Sequence, residues 1–219
     1  VNVMHKVLDF IKKNKQFSFF LLLVILLALI TIFAPVIAPQ NPYASDLKNA
    51  LQPPSSDHWF GTDKLGRDIF SRVIYASRSS LPATLILVVL IFAIGTLLGT
   101  LAGYFGGWID AVIMRISDMM ISFPGMVLAI AVAGIMGASV KNAVIAVAVV
   151  SWPKYARLAR SLVMKIRHED YIYAAIVTGS KTSYILRKYM LPNIIPTLII
   201  TAATDIGGMM LELAGLSLL

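Results

Sequence analysis

The first long apolar stretch of the chain, residues 17–38, reads FSFFLLLVILLALITIFAPVIA. Its 22 residues include no charged side chain. A helix that crosses the hydrocarbon core of a bilayer needs about 20 such residues, since no water is present there to satisfy backbone polar groups. Basic residues precede the stretch, as in a signal peptide, but it exceeds the roughly 7 to 15 residues of a signal core. The stretch therefore predicts a retained membrane span.

The composition of the whole chain also indicates a membrane protein. Apolar residues make up 58% of the sequence and charged residues 14%, and the mean hydropathy is +0.80. A soluble domain carries about 25% charged residues. The net charge of +8 comes from residues that flank the apolar runs, so a membrane surface is favoured over a nucleic acid as its partner. Because the chain has no cysteine, disulfides, thiolate metal sites and cysteine nucleophiles are excluded.

Five apolar stretches predict an all-α membrane protein with five transmembrane helices. In the third, Pro124 predicts a kink near one end. In the fourth, Lys154, Arg157 and Arg160 follow the charge-free part, and we expect them to snorkel toward lipid headgroups. The predicted spans are residues 17–38, 81–102, 119–136, 140–162 and 194–218.

The distribution of basic residues predicts which side each connection faces. With a cytoplasmic amino terminus, 13 of the 19 Lys and Arg residues fall in cytoplasmic segments, as the positive-inside rule favours. The chain then consists of a cytoplasmic tail, a first span, an extracytoplasmic loop and a core that includes a cytoplasmic loop at about residues 165–192. Their bounds are 1–16, 17–38, 39–80 and 81–219. Five spans place the carboxyl end outside in the middle of an apolar run, so we expect a sixth span beyond Leu219.

Two connections carry recognisable patterns. Apolar residues recur at helical spacing from Asp68 onward, which predicts a short amphipathic helix before the second span. Residues 165–192 predict a helix, a turn at Gly179 and a second helix. Small Ala174 and Ala175 permit close approach of another backbone.

These motifs resemble a known family. The stretch GTDKLGRD at residues 61–68 resembles the signature after the first span in C-type permease subunits of dipeptide, oligopeptide and nickel ABC importers. Ala174, Ala175, Gly179 and the later Leu191 and Pro192 resemble the cytoplasmic EAA loop of ABC importer permeases. The resemblance extends over nearly the whole chain and includes RISDMMISFP at 115–124 and AGLSL at 214–218.

The resemblance implies a type I importer permease fold in the cell inner membrane. It also implies a homologous second permease, two cytoplasmic ATPases that bind the ATP and Mg²⁺, and an extracytoplasmic solute-binding protein. The loop would couple ATPase closure to the spans through Tyr173, Ala174, Ala175 and Gly179, followed by Leu191 and Pro192. Tyr173 stands where the loop has Glu, so no carboxylate role is carried over. The alternative is that these small residues only pack two helices of this chain together.

An acidic stripe in the last span is the candidate translocation path. Asp205, Gly208, Met209 and Glu212 are spaced to share one helical face. An acid at mid-bilayer costs about 2.5 to 3.5 kcal/mol, so Asp205 is expected to face a wet path or a partner. One hypothesis is a path that favours cationic or metal-bearing solutes, and the other is an Asp205 paired with the second permease. The run TDIGGMM at 204–210 is more similar to nickel-type members than to peptide-type ones.

The sequence predicts no catalytic site, no cofactor and no metal held by this chain. No phosphate-binding loop, HExxH or GxSxG motif occurs, and His5, His58 and His168 are far apart. The expected function is therefore a permease subunit for nickel, a metal chelate or di/oligopeptides, with no nucleic acid partner. An autonomous channel or an ion-driven carrier is the alternative, and it would transport without ATPase partners.

Overall fold

A computed structural model describes residues 13–217, which fold as two compact units that divide between Ser79 and Ser80. The described residues are mainly helical, and among them the only β pairing is an isolated bridge between Thr62 and Asp68. The prediction of an all-α fold is therefore confirmed.

The first unit contains an apolar helix and a compact loop. Helix α1, Lys15–Ile37, is apolar on all sides, as expected for a span in lipid. A short 3₁₀ turn, Leu47–Asn49, follows in the loop. Helix α2, Ile69–Phe105, begins directly after Asp68, whose carboxylate accepts the Ser71 N–H at 2.7 Å as an N-cap. The amphipathic segment predicted here is thus helical, but it continues into the second span as one helix of 37 residues.

The second unit is built around one long helix. In chain order its helices are α3, Gly107–Ser122; α4, Gly125–Met136; α5, Val140–Arg167; α6, Asp170–Val177; α7, Thr182–Ile185; and α8, Leu191–Leu216. A π-helical segment, Leu186–Met190, joins α7 to α8. Helix α5 contributes many of the buried side chains, among them Tyr155 and Val163, and it packs against α3, α4 and α8.

Helix α2 approaches α5 closely through glycines spaced four residues apart. A side chain at Gly99 would overlap the carbonyl oxygen of Ala156. A Cβ at Gly103 would lie 2.9 Å from the carbonyl oxygen of Arg160. Small residues permit such backbone contact, which supplies the van der Waals packing that holds helices together in lipid.

The structure changes the predicted set of spans at two places. Residues 119–136 are not one helix with a mild kink, because the chain breaks at Phe123 and Pro124 and the helices on either side differ in direction by 94°. Phe123 is extended, with ψ of 146°, as the residue before a proline tends to be. Helix α3 also occupies residues 107–118, which lie between the second and third predicted spans.

Length and composition qualify three described helical segments as spans, Lys15–Ile37, Ile69–Phe105 and Thr182–Leu216, and the broken pair would make a fourth. Helix α5 is 28 residues long, which gives a length of about 42 Å at 1.5 Å per residue. It is not among these candidates, because its carboxyl-terminal half carries several charges. The fourth predicted span is thus helical and long enough to cross a bilayer, but its carboxyl-terminal half is more polar than the other spans.

Candidate coupling loop and intramembrane charge cluster

Helix α6 ends in a turn that depends on Gly179. The N–H of Gly179 donates to the carbonyl of Ile176, and the N–H of Ser180 donates to that of Ala175, both at 3.0 Å. This pair of bonds is the Schellman ending of a helix, in which the glycine position is left-handed. Gly179 has φ of +79°, and no atom lies within 4 Å of the place where a Cβ would be. A side chain at Gly179 would therefore have room but would strain the backbone.

The residues predicted for the coupling loop divide between two faces of α6. Tyr173 and Ala174 are exposed, as is Gly179 beyond the helix end. Ala175 is only 6% exposed and packs into the core of this chain beside Ile172. Ala175 thus has the intrachain packing role that the alternative interpretation gave to the small residues, while the exposed residues are available to a partner.

The exposed face of α6 is apolar and aromatic. Ile176 is 49% exposed, and Val177 is 86% exposed. The hydroxyl of Tyr173 lies 3.0 Å from Nδ1 of His168, so the tyrosine that replaces the family's Glu is hydrogen-bonded to the end of α5. An apolar knob on a firmly packed helix is suited to insertion into a groove of another protein.

Leu191 and Pro192 mark the place where the second helix of the loop continues into the last span. Pro192 has no N–H to donate, and Leu191 donates to the carbonyl of Leu186, five residues back. The helix is therefore π-helical before Pro192 and α-helical after it. Leu191 is half-buried and Pro192 is exposed. Segments of this kind are often found at functional sites.

A cavity of about 950 Å³ lies beside the loop turn. It is lined by Gly179 and the second helix, and its basic residues are Lys181, Arg187 and Lys188. The ammonium of Lys188 also lies over the ring of Tyr184, 5.1 Å from its centre. The surface next to the exposed knob is thus basic.

The candidate path residue Asp205 has a partner within its own chain. Lys154 Nζ donates to both carboxylate oxygens of Asp205 at 2.7 Å, and the Tyr155 hydroxyl donates to one of them at 3.0 Å. The Asp205 side chain is 14% exposed and that of Lys154 is 56% exposed. Neither sequence-based hypothesis included this pair, which joins α5 to α8 near the middle of both helices.

The structure does not keep the four stripe residues together as one surface. Met209 is buried in the core, whereas Gly208 and Glu212 are exposed. Asp205 lies between these groups, partly covered by Lys154. The exposed part of the predicted stripe is therefore Gly208 and Glu212.

Two further basic residues of α5 pair with acids of α3. Arg157 donates to the Asp118 carboxylate and, at 3.2 Å, to the Ser117 hydroxyl. Arg160 holds both carboxylate oxygens of Asp110. The sequence pattern predicts snorkelling for these arginines and does not identify their acidic partners. The available signal was the spacing of Lys154, Arg157 and Arg160, which places three positive charges along one helical face.

The signature GTDKLGRD folds as a hydrogen-bonded loop around two carboxylates. Asp63 accepts the backbone N–H groups of Leu65 and Arg67 at 2.9 and 3.0 Å and the Arg67 Nε–H at 2.8 Å. Burial opposes ionisation, but these bonds lower the pKa of Asp63 to about 2. Asp68 is bonded to Ser71 and, at 3.1 Å, to His58, and these bonds likewise keep its pKa below the ordinary value despite burial. Both carboxylates are therefore structural groups of the loop.

The helical fold and its long apolar helices are those of a membrane protein. The family described as binding-protein-dependent transport system inner membrane component matches residues 95–219, and the N-terminal TM domain of oligopeptide transport permease C matches residues 4–54. The chain belongs to this family of inner membrane components, whose members are non-catalytic permease subunits.

Three relatives illustrate the similarity. The dipeptide transport system permease protein DppC of Alkalihalophilus pseudofirmus is 43% identical over 95% of this chain and 69% of its own length. The probable D,D-dipeptide transport system permease protein DdpC of Escherichia coli K12 is 44% identical over 89% and 65%. The nickel transport system permease protein NikC of the same strain is 38% identical over 91% and 72%. The chain thus spans about two thirds of the length of these relatives.

Proposed function

We propose that this chain is the permease subunit that forms half the translocation path of an ATP-driven importer and couples that path to cytoplasmic ATPases. The observation that carries the proposal is the division of α6 into a buried and an exposed face. Ile172 and Ala175 fix the helix in the core, while Tyr173 and Ala174 remain exposed. A partner that moves the exposed face must then move the core to which the helix is fixed.

The continuity of the second helix supports the same proposal. Residues from Thr182 to Leu216 form one helical segment that carries the loop at one end and Asp205 near its middle. A displacement at the loop would reach the candidate path through this segment. Alternating access requires such an element with two packings, biased by nucleotide binding in the partner.

The proposed substrate is nickel, a metal chelate or a di- or oligopeptide. Relatives named for dipeptides, nickel and glutathione match this chain at 38% to 44% identity, which supports a small polar solute. Because Lys154 neutralises Asp205, a preference of the path for cations would depend mainly on the exposed Glu212. Uptake by the reconstituted complex of dipeptides, free nickel and chelated nickel, compared in parallel, assigns the substrate.

The coupling role is tested by a bulky residue on the exposed face of α6. Ala174→Trp should leave the complex assembled and reduce its substrate-stimulated ATPase activity and uptake at least tenfold, because the indole would hold the partner off the helix. Ala138→Trp is the matched control, since Ala138 is also exposed but precedes the opposite end of α5. Unchanged coupling in Ala174→Trp would contradict the proposal, and uptake without ATPases would support the alternative of an autonomous carrier.

The proposed orientation has a cytoplasmic amino terminus and a cytoplasmic loop. The chain has no cysteine, so single cysteines can report the side of each connection. A membrane-impermeant maleimide applied to intact cells should label Ala138→Cys and not Val177→Cys, and both should be labelled after permeabilisation. Labelling of Val177→Cys from outside would overturn the orientation.

A further inference from the structure

A groove of about 440 Å³ lies between α2 and the second helix of the coupling loop. Its lining is mostly apolar, with Phe92 and Leu97 on the α2 side. Two threonines of α2, Thr96 and Thr100, also line the groove, although their hydroxyl oxygens are covered by protein atoms. Its size lies within the range of small-molecule sites.

The two threonine hydroxyls have no hydrogen-bond partner within the described residues. Thr96 is 7% exposed and Thr100 is 4% exposed, and the oxygens of both are buried. Thr84 on the same helix instead donates to the carbonyl of Ser80 at 2.8 Å, the usual arrangement for a threonine in a helix. Buried hydroxyls that lack this bond are rare and need an acceptor from elsewhere. Since Thr96 and Thr100 are four residues apart, they lie on one face of the helix, about 6 Å apart along the axis.

The other side of the groove carries a positive charge. Arg187 and Ser183 line it from the second helix, and Arg187 is exposed. In the part of the chain that the structure describes, the side chain of Arg187 forms neither an ion pair nor a hydrogen bond. Lys181 and Lys188 line the adjoining cavity, which shares Arg187 and Ser183 with the groove. The groove thus combines an apolar wall, two buried donors and a basic rim.

We propose that this groove is a binding site for an anionic phospholipid. The phosphate would contact Arg187 and Ser183, and an acyl chain would lie against Phe92 and Leu97. The two ester carbonyls of the glycerol would accept hydrogen bonds from Thr96 and Thr100 after the threonine side chains rotate toward the groove, since a threonine in a helix has two accessible rotamers. Ester carbonyls are acceptors that bring no donor of their own, which matches two hydroxyls without acceptors. A helix from a second permease would not supply such acceptors from its backbone, because its backbone carbonyls are already bonded within the helix.

The orientation proposed above places this basic rim at the cytoplasmic leaflet, where anionic lipids are found and where basic pockets between helices bind their headgroups. The lipid would then link α2 to the helix that carries the coupling loop. The site therefore rests on the proposed orientation, which the cysteine labelling tests separately.

Photolabelling of the assembled complex in lipid nanodiscs tests the site. The probes are phosphatidylglycerol and phosphatidylcholine with the same diazirine acyl chain, and the labelled peptides are mapped by mass spectrometry. Phosphatidylglycerol should label residues 92–101 at least fivefold more than phosphatidylcholine. The double variant Thr96→Val, Thr100→Val and the single variant Arg187→Gln should each remove this preference. The control Thr84→Val should retain it, since its hydroxyl is bonded within its own helix.

Equal labelling by the two lipids in the wild-type complex would show ordinary lipid contact and would overturn the site. A photo-crosslinking amino acid at residue 97 tests for a protein helix in the groove. Cross-links from it to the second permease, together with no labelling by either lipid, would show that a helix fills the groove and would also overturn the proposed lipid site. A preference that persists in both groove variants would place the lipid elsewhere. None of these outcomes affects the coupling proposal, because ATPase stimulation is measured independently.

Discussion

Lys154 binds both carboxylate oxygens of Asp205 across 51 residues of sequence, with each nitrogen–oxygen distance at 2.7 Å. The pair lies near the middle of α5 and α8, where an unpaired charge would be costly in a bilayer. Tyr155 adds a third hydrogen bond, and its side chain is fully buried. The pair therefore fixes the register of α8 on α5 at the depth of the candidate path.

Removal of one charge of the Lys154–Asp205 pair should destabilise the protein more than removal of both charges. Asp205→Asn leaves the Lys154 ammonium without a counter-charge and should cost about 2 kcal/mol, the order of a hydrogen bond to a charged group. The double variant Lys154→Met, Asp205→Asn should recover at least half of that loss, because no unpaired charge remains. Thermal unfolding of the purified complex measures both effects.

Uptake by the same variants separates a structural role from a path role. If the double variant regains stability and transport together, the pair is structural and the candidate path is reduced to Gly208 and Glu212. If stability returns and transport does not, the charges act on the solute. Equal destabilisation by the single and double variants would contradict the charge-pair explanation.

The close contact of α2 with α5 should make Gly99 intolerant of any side chain. Gly99→Val would place a branched side chain against the backbone of Ala156, and overpacking of this kind costs about 1 to 3 kcal/mol or more. We expect a lower yield of folded complex and a lower unfolding temperature. Gly134→Ala is the control, because Gly134 is also helical but has no atom within 4 Å of its Cβ position. That substitution should be neutral or stabilising by up to about 1 kcal/mol.

The sequence predicted the helices better than their contacts. Apolar length located α1 and the second and last spans, because the requirement for about 20 apolar residues acts on each segment alone. Gly179 located the loop turn, since a left-handed helix ending has few other solutions.

The missed features are those that depend on tertiary structure. The pairs of Arg157 with Asp118 and of Arg160 with Asp110 join residues about 40 to 50 positions apart, and periodicity within a helix carries no information on which helix lies opposite. Pro124 indicated a kink, but the 94° change of direction depends on how α4 packs against α5. The division of α6 into Ile172 and Ala175 inside and Ile176 outside also required knowledge of the core.

The Asp63 loop should lose stability in acid. The pKa of Asp63 in the folded loop is about 2, below its ordinary value of 3.8, so ionised Asp63 stabilises the loop fully above about pH 4 and progressively less as the pH falls toward 2. Hydrogen exchange of the loop amides, corrected for the intrinsic effect of pH on exchange, should show loss of protection in that window.

Arg67→Met should shift this loss of protection to higher pH, because the Arg67 side chain supplies one of the bonds that lower the pKa of Asp63. Lys64→Met is the matched control, as Lys64 is an exposed basic residue of the same loop. An identical acid profile for wild type and Arg67→Met would show that Arg67 does not set the ionisation of Asp63.

Substitutions at Gly179 can distinguish two roles of this residue. One is to adopt the left-handed conformation that ends α6, and the other is to leave room for a docking partner. Asparagine tolerates a left-handed conformation better than other side chains, whereas a β-branched residue does not. Gly179→Val should therefore unwind the end of α6 and abolish ATPase coupling even though its Cβ position is open. Gly179→Asn should preserve the helix ending, which protection of the Gly179 and Ser180 amides would report. If Gly179→Asn keeps that protection but loses coupling, the partner needs the space above residue 179. If both variants keep coupling, neither the turn geometry nor the open surface at this position transmits the motion of the ATPase.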